Sequence, residues 1–515
     1  MAPNVSSPLL PDWIAHWAAT APERVALLAD GHEWTFAALD ADVTLTAHRL
    51  SSLGLKPGDR LATLLHNSAG AVVLTHAALR LGATLVPLNV RLTDGELAWM
   101  ITDSPSRLLI AEPRTSGLAE RAARAPRAPV VVSLSDALGG GEGDADVEGS
   151  ANLSLMHDPE HVLAVIYTSG TTGRPKGAML TVGNFWWSAI GSALNLGVRS
   201  DDRWLACLPL FHVGGLSIMV RCAIYGTAAV VHDGFDASAV NSSLDDERIT
   251  LVSVVAVMLQ RMIDDRAERP YPTSLRCVLL GGGPAPLPLL ERCARLGVPV
   301  VTTYGMTETT SQVVTMLPED TRHRPGAAGR PLYPNAIRIA EGTREADAGE
   351  PGEILVKGPV VMAGYSGDPQ ASARTLVDGW LRTGDVGFVD DHGYLHVLDR
   401  RDDLIITGGE NVYPAEVEMA LLAHPSVAET GVVGVTDSVW GQRVVAVVRL
   451  VDESPVAPPN ASELLRAHCR SLLAGYKTPS EIRIVSDALP RTAAGKLQRG
   501  ILRERMAASV ADGDV

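Results

Sequence analysis

The stretch Val162-Leu163-Ala164-Val165-Ile166 runs straight into Tyr167-Thr168-Ser169-Gly170-Thr171-Thr172-Gly173-Arg174-Pro175-Lys176-Gly177, and no other segment constrains the chain as tightly. Five consecutive apolar residues before a turn signal read as a buried strand. The loop after it alternates hydroxyls with glycines. Its backbone N–H groups can therefore approach phosphate oxygens closely, while Thr168, Ser169, Thr171 and Thr172 add hydroxyl donors and Lys176 adds charge. This reads as a nucleotide-phosphate loop.

It is not the Walker loop. In the G-x-x-x-x-G-K-[ST] register from Gly170, Pro175 stands where the second glycine must be and Gly177 where Ser or Thr must be. A kinase-like or GTPase-like cradle is disfavoured on that ground. Taken alone, the segment also fits a glycine-rich turn after a strand, so its company in the chain has to decide.

At 515 residues the chain exceeds what one hydrophobic core supports, so at least two domains are expected. Its net charge of −15 argues against broad binding to nucleic acid or anionic membranes. The cysteines, at 207, 222, 277, 293 and 469, are odd in number and lack C-x-x-C spacing, which suggests neither a disulfide framework nor a thiolate zinc site. Cys207, Cys222 and Cys277 sit in apolar surroundings and read as small buried hydrophobes. Met1 to Ser7 lacks a basic region with an apolar core behind it, and no transmembrane run follows. A reduced, cytoplasmic, soluble enzyme is the expectation. The sequence leaves oligomeric state open, a homodimer being one arrangement it allows.

Along the chain, Asp12 to Trp17 opens an amphipathic helix. Arg60–Leu65 and Ala83–Leu88 read as strands around a small-residue helix from Ala71 to Leu81. Trp204–Leu208, Ala228–Val231, Leu251–Val255 and Cys277–Leu280 continue this βαβ grammar, which predicts a parallel, buried sheet. Between Arg330 and Gly393 short strands with Gly and Pro turns predict a β-rich unit. Charges crowd Leu398 to Asp403, as at an exposed hinge. The expectation is an α/β fold: a large N-terminal domain, 1–400, of βαβ-built sheets with a small β-rich unit, and a small mobile α+β C-terminal domain, 401–515. Val451 to Ser462, with three prolines, reads as a loop inside the latter.

Four more stretches join the loop: Leu208-Pro209-Leu210-Phe211-His212-Val213-Gly214-Gly215, Tyr304-Gly305-Met306-Thr307-Glu308-Thr309, Thr383-Gly384-Asp385 with Arg400 to Asp402, and Pro490-Arg491-Thr492-Ala493-Ala494-Gly495-Lys496. In this order and at these separations the five resemble the adenylate-forming superfamily of acyl-CoA synthetases, peptide-synthetase adenylation domains and luciferases. The resemblance covers nearly the whole chain. It implies ATP, Mg²⁺ and, as co-substrate, coenzyme A.

It also implies roles residue by residue. Thr168 to Gly173 with Lys176 would hold the triphosphate, and Gly281, Gly282, Gly283 and Tyr304 with Gly305, Met306 and Thr307 the adenine end. Tyr304 offers an aromatic face for stacking, and the glycines let backbone lie against the base. Asp385 would accept the ribose hydroxyls and Arg400 pair with the ribose. Glu308, with Thr168, would attend the metal ion, as a hard carboxylate suits Mg²⁺. Lys496 would bridge the attacking carboxylate and the α-phosphate, where negative charge develops. The C-terminal domain would swing about Asp402, withdrawing Lys496 and presenting Gly408 and Gly409 along the pantetheine path. One departure is Asp399, where a glycine often precedes the hinge arginine.

Within the superfamily, Leu208 to Arg221, Leu280 to Pro286, Tyr304 to Gln312 and Asp403 to Tyr413 resemble the 2-succinylbenzoate:CoA ligases of menaquinone synthesis. Arg221 is the physical discriminator, because a charge within the apolar run Leu216 to Ile224 is costly unless paired or wetted. The resemblance assigns it to the aromatic carboxylate of the substrate, with Thr309 and Gln312 beside the acid and His212 lining the acyl pocket and gating CoA. Another acyl- or aryl-CoA ligase, or a non-catalytic adenylate-binding protein of the same fold, stays open at this point.

Overall fold

Short apolar runs with no polar face must be buried on both sides, and in the first four hundred residues many of them pair in parallel within two large sheets to achieve it. The computed structural model describes residues 8–124, 128–139, 151–168, 175–267, 269–283, 287–321, 323, 324, 326–341, 344–399, 405–412, 414–451, 458–490, 497 and 499–511. Cys277–Leu280 lies between Leu251–Val254 and Val300–Tyr304 in a nine-stranded sheet. Arg60–Leu64 lies between Thr84–Pro87 and Leu108–Ala111 in a seven-stranded one that also holds Val162–Thr168 and Lys176–Thr181. A third, antiparallel sheet is built on Ala336–Glu341, Gly352–Lys357 and Trp380–Val389, as the Gly and Pro turns predicted.

The chain divides into two compact units: Met1–Val90, Met100–Tyr167 and Gly177–Leu398 in the larger, Arg91–Trp99, Thr168–Lys176 and Asp399–Val515 in the smaller. The expected boundary between 400 and 401 falls on residues outside the described ones.

Helices in the larger unit start and stop where their caps stand. Ser68 accepts from Ala71 N–H at the head of Ala69–Leu81, and Gly82 ends it at φ 75. Thr181 and Asn184 form a reciprocal capping box on Val182–Leu196. Asp12 caps Trp13–Thr20 and also receives two hydrogen bonds from Arg80, at 3.1 and 2.8 Å, and one from His157 at 3.2 Å. Arg80 is almost wholly buried and reaches Asp40 and Thr44 as well, so its charge is answered on every side.

In the smaller unit Gly441–Leu450 pairs with Val427–Asp437 antiparallel and with Glu481–Val485 in parallel. Lys477 is buried and donates to Glu416 at 2.8 Å. The loop expected over Val451 to Ser462 is corrected in its second half, because the helix Pro458–Leu472 begins there. Proline suits a first helical turn, whose N–H groups have no partner in the helix, so Pro458 and Pro459 mark a start rather than a break.

Candidate active site

Tyr304 ends one parallel strand, and Gly281 to Gly283 follow its neighbour. They leave the carboxyl edge of the sheet side by side, the edge at which α/β sheets bind ligands. Gly282 has φ 77, and a Cβ on Gly281 would lie 2.8 Å from Thr303 Cγ2. Tyr304 is buried and donates its hydroxyl proton to Asp385 at 2.8 Å. The β-rich sheet is thus joined to the parallel one by two predicted ligand residues. Thr383 and Gly384 lie where the strand Trp380–Val389 shifts register against Gly352–Lys357, just before Asp385, with Thr383 Oγ1 accepting from Asp385 N–H at 3.0 Å.

Beyond Tyr304 the chain folds back hard on itself. A Cβ on Gly305 would fall 1.6 Å from the Ser311 carbonyl oxygen, so only glycine fits. After Met306 comes a single 3-10 turn, Thr307–Thr309, then Thr310 and Ser311 at φ 50 and 81. Positive φ on a β-branched threonine is strained and persists only where surroundings enforce it. They do: Ser188 Oγ donates to the Thr310 carbonyl and Thr310 Oγ1 to that of Val360, both at 2.8 Å. Thr309 is buried, its Oγ1 accepting from Met306 N–H at 2.9 Å. Gln312 is 2% exposed, yet neither end of its amide has a partner among the described residues.

Glu308, buried by this turn, accepts the Tyr365 hydroxyl at 2.9 Å. A lone buried carboxylate fits Mg²⁺, which keeps water and phosphate oxygens as most of its ligands. Among the described residues no group of three or more His, Cys, Asp or Glu could hold a metal ion.

Arg221 lies on the helix Val213–Tyr225, 2% exposed. Its Nη2 donates to Ser188 Oγ at 3.0 Å, its guanidinium faces the Trp204 ring at 5.8 Å, and its Nε has no partner among the described residues. No carboxylate among the described residues pairs with it, and burial pushes its pKa below the ordinary arginine range. Ser188 links it directly to the strained Thr310. The structure therefore brings Arg221 to the segment that ends in Gln312.

His212 caps the same helix through its backbone, with Phe211's ring 4.7 Å from its own. Its loop is pinned by Asn67, which sequence reasoning missed: Nδ2 donates to the Leu208 carbonyl at 2.9 Å, and Oδ1 accepts from Leu210 N–H at 2.8 Å. Tyr365 was missed as well. An amide three residues past the end of the strand Arg60–Leu64, at the carboxyl edge of its sheet, was the one available signal for Asn67.

In the smaller unit, Thr168 ends its strand and Lys176 begins the next, both half-buried, with Thr168 Oγ1 3.5 Å from the Lys176 carbonyl. Gly408 and Gly409, at φ 57 and 83, form the two-residue turn between Thr407 and Glu410, a hairpin geometry that by itself favours glycine at both positions. Ser169, Gly170, Thr171, Thr172, Gly173, Arg400, Asp402 and Lys496 lie outside the described residues.

Comparison with known proteins matches residues 14–366 to the AMP-binding enzymes and 416–496 to the AMP-binding enzyme C-terminal domain. The chain belongs to the AMP-binding enzyme family. Within that family it is 46% identical, over 96% of its length and 97% of the relative's, to the 2-succinylbenzoate–CoA ligase of Geobacillus kaustophilus. It is 40% identical to a double mutant of o-succinylbenzoate CoA synthetase from Bacillus subtilis solved with a product analogue, with a TM-score of 0.88 and coverage of 96% and 99%. That AMP-binding enzyme has also been solved with ATP and magnesium ion, where identity is 39%, the TM-score 0.73 and coverage 96% and 99%.

Proposed function

We propose that this chain ligates 2-succinylbenzoate to coenzyme A, using ATP and Mg²⁺ and releasing AMP and pyrophosphate, in the cytoplasmic synthesis of menaquinone. The observation that carries the substrate assignment is near-full-length similarity to 2-succinylbenzoate–CoA ligases. Arg221 gives it a physical reason. A buried cation without an anionic partner is costly, and a second carboxylate on the substrate would offset that cost.

In the first step the aliphatic carboxylate attacks the α-phosphorus, the bond to the β-phosphate oxygen breaks, and pyrophosphate leaves. Tyr304, Gly281 to Gly283 and Asp385 orient the adenosine, and Thr168 to Gly173 with Lys176 hold the leaving phosphates. Glu308 would hold Mg²⁺, which supplies charge neutralisation on the triphosphate. Lys496 stabilises the charge that develops between the two anions, and Arg221 keeps the aromatic carboxylate away from phosphorus. In the second step the CoA thiol, having lost its proton, attacks the acyl carbon and AMP departs, with His212 and Gly408–Gly409 along its path.

The test is a substrate panel. Purified protein with ATP, Mg²⁺, CoA and 2-succinylbenzoate should release pyrophosphate and form the mono-CoA thioester, identified by mass. No release with this acid, alongside good turnover of octanoate or benzoate, would refute the assignment.

A further inference from the structure

We propose that Tyr365 is a positioning residue for metal-bound ATP: its hydroxyl fixes the Glu308 carboxylate, and the strap Pro359 to Ser366 ties that carboxylate to the strand leaving the phosphate loop. This rests on reading Glu308 as the Mg²⁺ carboxylate.

The strap makes contacts on two sides, its first half toward the Glu308 turn and its second toward the strand Lys176–Thr181. Toward the Glu308 turn, the Val360 carbonyl accepts Thr310 Oγ1 at 2.8 Å and Met362 N–H donates to the Glu308 carbonyl at 2.9 Å. Toward the strand Lys176–Thr181, Ala363 N–H donates to the Met179 carbonyl at 2.9 Å and Ser366 N–H to that of Gly177 at 2.7 Å, with Tyr365 in antiparallel register opposite Ala178. Asn184, from the capping box that ends this strand, donates to the carbonyls of Pro359 and Val361 at 2.8 and 2.9 Å. Every residue from Pro359 to Met362 is thus pinned on the turn side or by the helix cap.

Tyr365 closes the circuit with a side chain. Ser372 Oγ accepts its N–H at 2.8 Å, and its hydroxyl reaches Glu308 Oε1 at 2.9 Å in a buried setting. A hydroxyl donating to an ionised carboxylate is a strong, directional contact, and it sets the plane of the carboxylate. The Glu308 carboxylate is then oriented by a strap that is itself paired with the strand Lys176–Thr181. The space is tight, since a Cβ on Gly177 would lie 2.6 Å from Val165 and 3.3 Å from Tyr167. A shift of that strand must therefore move the strap and, through Tyr365, Glu308.

Tyr365→Phe removes the hydroxyl and little else. Calorimetric titration should show Mg·ATP bound about tenfold more weakly than by wild type, with AMP, titrated without metal, unchanged within about twofold. Glu308→Gln is the reference. Weak Mg·ATP binding by Glu308→Gln together with wild-type binding by Tyr365→Phe would overturn the role of Tyr365 and leave that of Glu308 intact. Wild-type binding by Glu308→Gln would overturn the Glu308 reading and the present inference with it. Equal weakening of AMP and Mg·ATP by Tyr365→Phe would show a packing effect and also overturn it.

Discussion

The hydroxyl of Tyr304 donates to Asp385 at 2.8 Å, so the aromatic ring at the end of one sheet and the carboxylate from another are held as one unit. Loss of that bond should be felt by the nucleotide before anything else. Tyr304→Phe keeps the ring and removes this donor from the Asp385 carboxylate. Since a hydrogen bond to a charged group is worth about 1.5 kcal/mol, KM for ATP should rise about tenfold. KM for the acid should stay near its wild-type value, and initial rates at varied ATP check this.

Asn67 predicts a split between the half-reactions. It brackets Leu208 and Leu210 through both ends of its amide, just ahead of His212. Asn67→Ala should raise KM for CoA severalfold while acyl-adenylate formation, followed as pyrophosphate release in a single turnover, keeps its rate. Equal slowing of both steps would make Asn67 a general structural residue.

The strands and the five motifs were legible because each is local: an apolar run, a hydroxyl-glycine loop, a carboxylate at fixed spacing. Asn67 and Tyr365 were not, since their partners lie 141 and 57 residues away along the chain. Arg80 gave no warning for the same reason, its carboxylates being Asp12 and Asp40. Arg221 was legible as an anomaly, a charge in an apolar helix, although the sequence could not reveal that Ser188 and Trp204 would be its company. Pro458 and Pro459 misled because proline ends a helix in most positions and opens one in the first turn.

Acid should loosen the larger unit through His76 and Asp12. Burial, with help from Arg80 and His157 and against Asp12, lowers the His76 pKa from 6.5 to about 4. An unfolded His76 therefore takes up its proton first, and stability falls as pH drops from 6.5 toward 4. For Asp12, burial is outweighed by His157 and Arg80, which hold its pKa far below the usual carboxylate range, so a further loss follows below 3.8. Urea midpoints should decline between pH 7 and pH 4.5, and His76→Gln should flatten that slope.

All five cysteines are free and buried. Burial pushes the thiols of Cys207, Cys222 and Cys277 up to about 12 and those of Cys293 and Cys469 to about 11. Thiolate is the reactive form, so the native protein at pH 8 should leave a disulfide reagent unreacted over minutes, and all five should react in denaturant.

The central claim, that a buried arginine selects a dicarboxylic acid, is tested most directly by comparing 2-succinylbenzoate with 4-oxo-4-phenylbutanoate, which lacks only the aromatic carboxylate. Wild type should favour the former by about a hundredfold in kcat/KM, the range expected for a buried charge-assisted contact, and Arg221→Met should abolish that preference. Arg221→Met should also fold at least as stably as wild type without ligand, because it removes an uncompensated buried charge. A wild-type enzyme that used both acids equally, or an Arg221→Met variant that kept the preference, would contradict the account.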